Sequence, residues 1–144
     1  VGLNWCADEL FIKTAGAENA EGHIAISPIA PPTAAKPGHK DIDEYLKSKG
    51  SSLADKGLHY AQGWYTMHVM AKGLEAALDK NGGKVPTGEE IKAALETMDA
   101  VDTGGVLGDG KVKFSADSHR GSTGTGIYQV KGGDLSELAA NQKP

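Results

Sequence analysis

The sequence predicts an α/β fold, on three observations. A single long segment, Leu58 to Asn81, carries helical periodicity with an apolar side too wide for a helix that lies on a surface. Two short runs, His23 to Ile29 and Ile127 to Val130, carry the alternation and β-branched content of strands. Shorter helical patterns and Gly- or Pro-rich breaks lie between them, so helices and strands alternate along the chain.

Within the long segment, Trp64, Met67, Ala71, Leu74 and Leu78 recur at spacings of three and four, which places them on one side of a helix. Met70 and Ala77 widen that side. His68, Lys72, Glu75 and Asp79 repeat the spacing as a polar, solvated stripe. Gly82 and Gly83 follow directly, and glycine just past the last periodic residue is a stop signal. Tyr60, Trp64 and Tyr65 crowd the first half. The commoner reading of such aromatics is core and rim. The sharper one is that the helix start, with Tyr60 and Trp64, borders a ligand cleft.

The remaining elements follow in order. Val1 to Trp5 is a short strand candidate running into a loop. Ala7 to Thr14 is a short helix, acidic at Asp8 and Glu9 and basic at Lys13, as the helix dipole prefers, and Gly16 ends it. His23 to Ile29 is a strand ending near Pro28. Residues 30 to 38 hold three prolines, which no helix or central strand tolerates, so they form a connection. Asp41 to Ser48 is a helix with Ile42, Tyr45 and Leu46 on one side, and a Gly–Ser loop follows. Thr87 and Glu90 form a capping box for a helix carrying Ile91, Ala94, Leu95 and Met98. Asp99 to Thr103 is a turn. A Gly-rich loop then leads to a strand near Lys111 to Phe114, a polar loop spans Ser115 to Gly126, and Ile127 to Val130 is the last strand. Asp134 to Pro144 is expected to be a surface tail, loose at its end.

Composition narrows the function classes. The 144 residues suit one domain, with 39% hydrophobic residues and twenty glycines but only two phenylalanines. A net charge of −4 without a Lys/Arg patch argues against nucleic-acid binding. No apolar run approaches the ~20 residues of a membrane-spanning helix, and no signal-peptide pattern opens the chain. Cys6 is alone, so an intrachain disulfide is excluded. The first residues read as the end of a strand with no Met before them, which leads us to expect a fragment of a longer polypeptide.

Catalytic patterns fail one by one. Gly105, Gly110 and Lys111 have phosphate-loop spacing, but Val112 stands where a Ser or Thr would hold magnesium, and the helix and strand flanks are reversed. None of His23, His39, His59, His68 and His119 has a second ligand at zinc spacing. His119 lies in a loop between strands, either as a turn residue bonding nearby backbone or as a cleft contact. Ser27 and Ser115 lack a nucleophile elbow, and Cys6 has no base near it in sequence. Asp41 and Asp43 point apart on a helix. We therefore expect no enzyme, cofactor or metal.

Taken together, the element order carries a resemblance. It includes the AGAENAEG segment before a strand, the YAQGW opening of the long helix, and TGG followed by VKFSADSHRG and IYQV. This resembles the C-terminal part of type I periplasmic solute-binding proteins of ABC importers, the branched-chain amino-acid binding family. The resemblance implies two Rossmann-like α/β lobes joined by crossovers, incomplete in this chain, with a ligand in the cleft between them. Residues 1–30 would be part of the second lobe, residues 31–105 the helical part of the first, and residues 106–144 a return to the second lobe plus the tail. It implies a periplasmic component that captures an amino acid or an aromatic or hydrophobic organic acid and delivers it to an ABC permease in the inner membrane. The alternative is a sensing or interaction module on the same fold, or a fragment without autonomous binding. In such folds ligand sits beyond the C-terminal ends of parallel strands. That singles out Asn4, Trp5 and Cys6 on one side and Tyr60 and Trp64 on the other, with His119 as a further candidate. The aromatics favour a hydrophobic or aromatic ligand.

Overall fold

The computed structural model describes residues 1–143; the end of the expected tail, Pro144, lies outside the described residues. The chain opens with one parallel β-bridge rather than a strand. The Gly2 amide donates to the Ile24 carbonyl (2.7 Å), and the Ile26 amide donates to Gly2 (2.9 Å). Pairing stops there because Asn4–Cys6 winds into a 3-10 turn, closed by the Cys6 amide on Leu3 and the Ala7 amide on Asn4.

Helix α1 spans Glu9–Ala15. Asp8 is its N-cap, accepting from the Leu10 amide at 3.1 Å, and Gly16 ends it at φ 87°. A further turn, α2 (Ala17–Ala20), follows, which sequence periodicity does not show. Strand β1 is Ile24–Ser27. The proline-rich connection is more ordered than expected. Pro32–Ala34 forms a 3-10 turn, and helix α3 (Pro37–Ser48) starts four residues earlier than the periodicity suggests. Pro37 occupies the first helical turn, where a missing N–H costs nothing and the fixed φ suits the helix.

Helix α4 (Leu53–Lys56) is one turn capped by Ser52. Helix α5 (Leu58–Lys80) is the 23-residue helix the sequence announces. Its buried side is not the one that periodicity selects. Leu58, Ala61, Tyr65, Val69, Gly73 and Ala77 are buried, whereas Met67 is 66% exposed, Met70 49% and Leu74 39%. Ala71 is exposed, and Trp64 and Leu78 are only partly covered. The reason is size. Half of the packed stripe is Ala or Gly, which let neighbours approach closely but weigh little in an apolar pattern. At Gly73, any Cβ would collide with the side chain of Leu95.

Helix α6 (Gly88–Thr97) is capped as expected. The Thr87 hydroxyl accepts from the Glu90 amide (3.3 Å), and Glu90 accepts from the Thr87 amide (2.7 Å). Strand β2 (Val101–Asp102) replaces the expected turn over Asp99 to Thr103. It pairs antiparallel with β3 (Lys111–Val112), closing the Gly-rich loop into a hairpin. Strand β4 (Thr125–Lys131) and β5 (Asp134–Gln142) complete the structure.

The C-terminal segment also differs from expectation. Asp134–Gln142 is not a surface tail but the edge strand of a three-stranded antiparallel sheet, ordered β1-β4-β5. Gly132 (φ 60°) and Gly133 (φ 89°) join Lys131 to its partner Asp134 in a two-residue hairpin that needs positive φ at both positions. Only Leu135 of β5 is buried, so its sequence carries almost no alternation to announce a strand. One core gathers Ile12, Ile42, Leu46, Leu58, Tyr65, Val106, Tyr128, Val130 and Leu135. A second, smaller cluster holds Val69, Val101 and Val112 under Leu95, Met98 and Phe114. Helix α5 contributes to both, so it joins the two halves of the packing.

Candidate functional site

The three N-terminal candidates, Asn4, Trp5 and Cys6, form the 3-10 turn ahead of α1. Its exit is set by Asp8, whose Oδ1 caps α1 and so fixes where the helix begins. The turn lies against the first turn of α5. The Trp5 and His59 ring centroids are 4.5 Å apart with planes tilted by 36°. His59 Nε2 is 3.6 Å from Asp8 Oδ2, an ion pair when the imidazole is protonated. Trp5 remains 69% exposed, so the indole has an open surface beyond its contact with His59. Cys6 is a half-buried free thiol.

Tyr60 and Trp64 both pack, partly buried, against the main core. Tyr60 follows His59 directly, which puts it at the same end of α5 as Trp5. Trp64 takes a different neighbour, with its ring 5.2 Å from Tyr45 of α3. It lines a cavity of about 570 Å³ together with Pro37, Asp41, Tyr65, His68 and Asp102. His119 joins none of these groups. Its Nε2 lies 2.6 Å from Glu96 Oε1, and Lys92 reaches the same oxygen at 3.0 Å. The His119 hydrogen bond, followed by that of Lys92, holds the Glu96 carboxyl below the usual carboxylate range.

Two carboxylates sit where α1 meets the start of α5. Asp8 is 9% exposed. Both carboxylate oxygens of Glu9 are buried near backbone amides, yet none of those amides makes a well-formed hydrogen bond to them. Burial pushes the Glu9 carboxyl up, and the neighbouring Asp8 charge adds to it; the backbone amides of Glu9, Leu58 and Thr33 oppose the shift without cancelling it. Negative charge at this place also faces the N-terminal end of the α5 dipole. Sequence reading passed over Asp8, Glu9 and His59 as site members. His59 stands beside Tyr60 at the helix start, and that adjacency was the available signal.

A further cavity of about 550 Å³ lies beyond Glu9, between Thr33, His39, Asp43 and Leu53. His39 is 5% exposed and belongs to the scaffold. Its Nδ1 accepts from the Lys36 amide (3.1 Å), so Nε2 carries the proton and donates to the Ala30 carbonyl (3.0 Å). Burial lowers the pKa of this imidazole; the Ala30 hydrogen bond opposes the shift, and the Lys36 charge adds to it by less. Among the described residues, no group of three or more His, Cys, Asp and Glu side chains is placed to hold a metal ion, and no helix is long and apolar enough to cross a membrane.

The candidate residues thus form an open aromatic surface at the start of α5. The profile of the family described as "Periplasmic binding protein" matches residues 1–134. No curated protein sequence matches the chain. Among solved structures, a branched chain amino acid ABC transporter from Thermus thermophilus with bound valine is similar at TM-score 0.86 and 19% identity, over 99% of this chain and 38% of that one. A substrate binding protein of an ABC transporter from Aeropyrum pernix is similar at TM-score 0.77 and 24% identity, over 99% and 37%. A leucine binding protein from Thermotoga maritima is similar at TM-score 0.61 and 18% identity, over 93% and 34%. At these identities the structures speak to the fold, which they share across nearly the whole chain. The chain spans less than two-fifths of their length. The α/β architecture and the family match along 1–134 lead to one conclusion: this chain belongs to the periplasmic binding protein family.

Proposed function

We propose that the chain works as part of the solute-capturing component of an ABC importer. It would act outside the inner membrane, holding an amino acid or an aromatic or hydrophobic organic acid and passing it to the permease. The family match over residues 1–134 carries this reading. The bound valine of the Thermus thermophilus structure supports the amino-acid class. The open indole of Trp5 at the start of α5 supports an apolar or aromatic side chain.

In this reading residues 1–30 and 106–144 belong to one lobe and residues 31–105 to the other. The turn Asn4–Cys6 and the start of α5, with Tyr60 and Trp64, then come from opposite lobes and meet at the cleft through the contact of Trp5 with His59, while His119, paired with Glu96 on α6, stands apart from them. Capture is a binding event followed by closure, with no covalent chemistry asked of these side chains.

The test is calorimetric titration of the complete polypeptide with L-valine, L-leucine and L-phenylalanine. At least one should bind, and Trp5→Ala should weaken it by roughly tenfold, the scale of losing a buried aromatic contact. If Trp5→Ala and Trp64→Ala both bind as tightly as the unsubstituted protein, the wall has been assigned to the wrong residues.

A further inference from the structure

We propose that His59 is the positioning residue of this wall: it clamps the indole of Trp5 against the start of α5 and so sets the surface a ligand meets. The inference rests on the ligand-site reading above and deepens it. Three observations carry it. The imidazole stacks on Trp5 at 4.5 Å and turns its Nε2 toward Asp8 at 3.6 Å. Asp8 cannot swing away freely, because its other oxygen caps α1 through the Leu10 amide. Finally, Nδ1 of His59 is buried with no hydrogen-bond partner.

That last point is the informative one. A buried ring nitrogen without a partner is costly, and an apolar side chain of similar size would fill the place without the cost. The imidazole offers what an apolar chain does not: a flat face for the indole and a polar edge for Asp8 at once. It therefore links α1, the 3-10 turn and α5 through one ring. In the two-lobed reading these elements lie on opposite walls, so the same ring also joins the walls when they are together. Trp5 has few other restraints, as its exposure shows. Without His59 the indole is free to sample other rotamers, and ligand must then bear the entropy of ordering it.

The experiment uses the complete polypeptide labelled with 5-fluorotryptophan, with the Trp5 ¹⁹F resonance assigned by its loss in Trp5→Phe. L-valine, L-leucine and L-phenylalanine are the probes. We expect His59→Ala to move the Trp5 resonance toward the solvent-exposed position and to weaken the response to the bound amino acid by roughly three- to tenfold, the scale of an aromatic stack. His59→Phe, which keeps a flat ring, should restore most of that loss. Asp8→Asn keeps the helix cap and should give an intermediate shift. An unmoved Trp5 resonance in His59→Ala overturns the clamp. A moved resonance with unchanged affinity overturns its part in binding. If the resonance moves in His59→Ala but none of the three amino acids perturbs Trp5 in the unsubstituted protein, the clamp stands and the ligand-site reading beneath it falls.

Discussion

His39 shows how a single side chain can hold a connection together. It closes the proline-rich segment by accepting from Lys36 and donating to Ala30, and the bond from Lys36 needs the neutral ring. Its pKa is lowered on folding, so near the ordinary imidazole range the unfolded chain binds more protons than the folded one. Stability is then fully present above about pH 6.5 and is lost as pH falls, until the folded imidazole itself takes up a proton. Thermal unfolding followed between pH 7.5 and 5.5 should show the midpoint dropping in the unsubstituted protein. The slope should flatten in His39→Gln, which cannot titrate. An equal slope in both would place the pH dependence elsewhere. At the same scale, Glu9 and His59 are legible in the sequence only as polar residues near helix ends. Their loss of partners comes from burial, which depends on what other elements cover them.

At the scale of elements, helix α5 is the instructive case. Its length, its end at Gly82 and its place in the chain could all be read from local spacing. Its buried side could not. The large residues Met67, Met70 and Leu74 dominate an apolar pattern, yet close packing follows the small ones, because helices approach most nearly where side chains are short. Gly73 sets the contact with Leu95 of α6. We predict that Gly73→Ala costs about 1–3 kcal/mol by overpacking, measured by denaturant unfolding, although alanine is the better helix former. Stabilisation instead would mean that Leu95 gives way at little cost. Strand β5 makes the same point for sheets. Its two-glycine turn was visible, but only one of its residues is buried, so the strand exists through pairing with β4 and not through any pattern of its own.

For the whole molecule, the exposed apolar face of α5 is the feature that one chain leaves unexplained. Met67, Met70 and Leu74 together offer a surface that a stable protein usually covers. More than half of each solved relative lies outside the matched region. We propose that this chain is part of a longer polypeptide whose remainder, corresponding to that region, covers this face. Met67→Lys should then destabilise the complete polypeptide by about 2 kcal/mol or more, as for any charge placed in an apolar contact. In the 144-residue chain by itself, the same substitution should stay within about 0.5 kcal/mol, the range of ordinary surface changes. Equal small effects in both would show that the face stays open to water.

The sequence by itself determined whatever depends on neighbours along the chain. The capping box of Thr87 and Glu90, the stops at Gly16 and Gly82, the strands around Ile24 and Ile127, and the element order behind the family resemblance all rest on contacts within a few residues. Tertiary structure alone decided which side of α5 is buried, that Asp134–Gln142 is a strand, that Gly2 makes a single bridge, and that Trp5 meets His59 and Asp8. Local propensity is a short-range quantity. Burial and pairing are properties of two surfaces, and the second surface lies elsewhere in the chain.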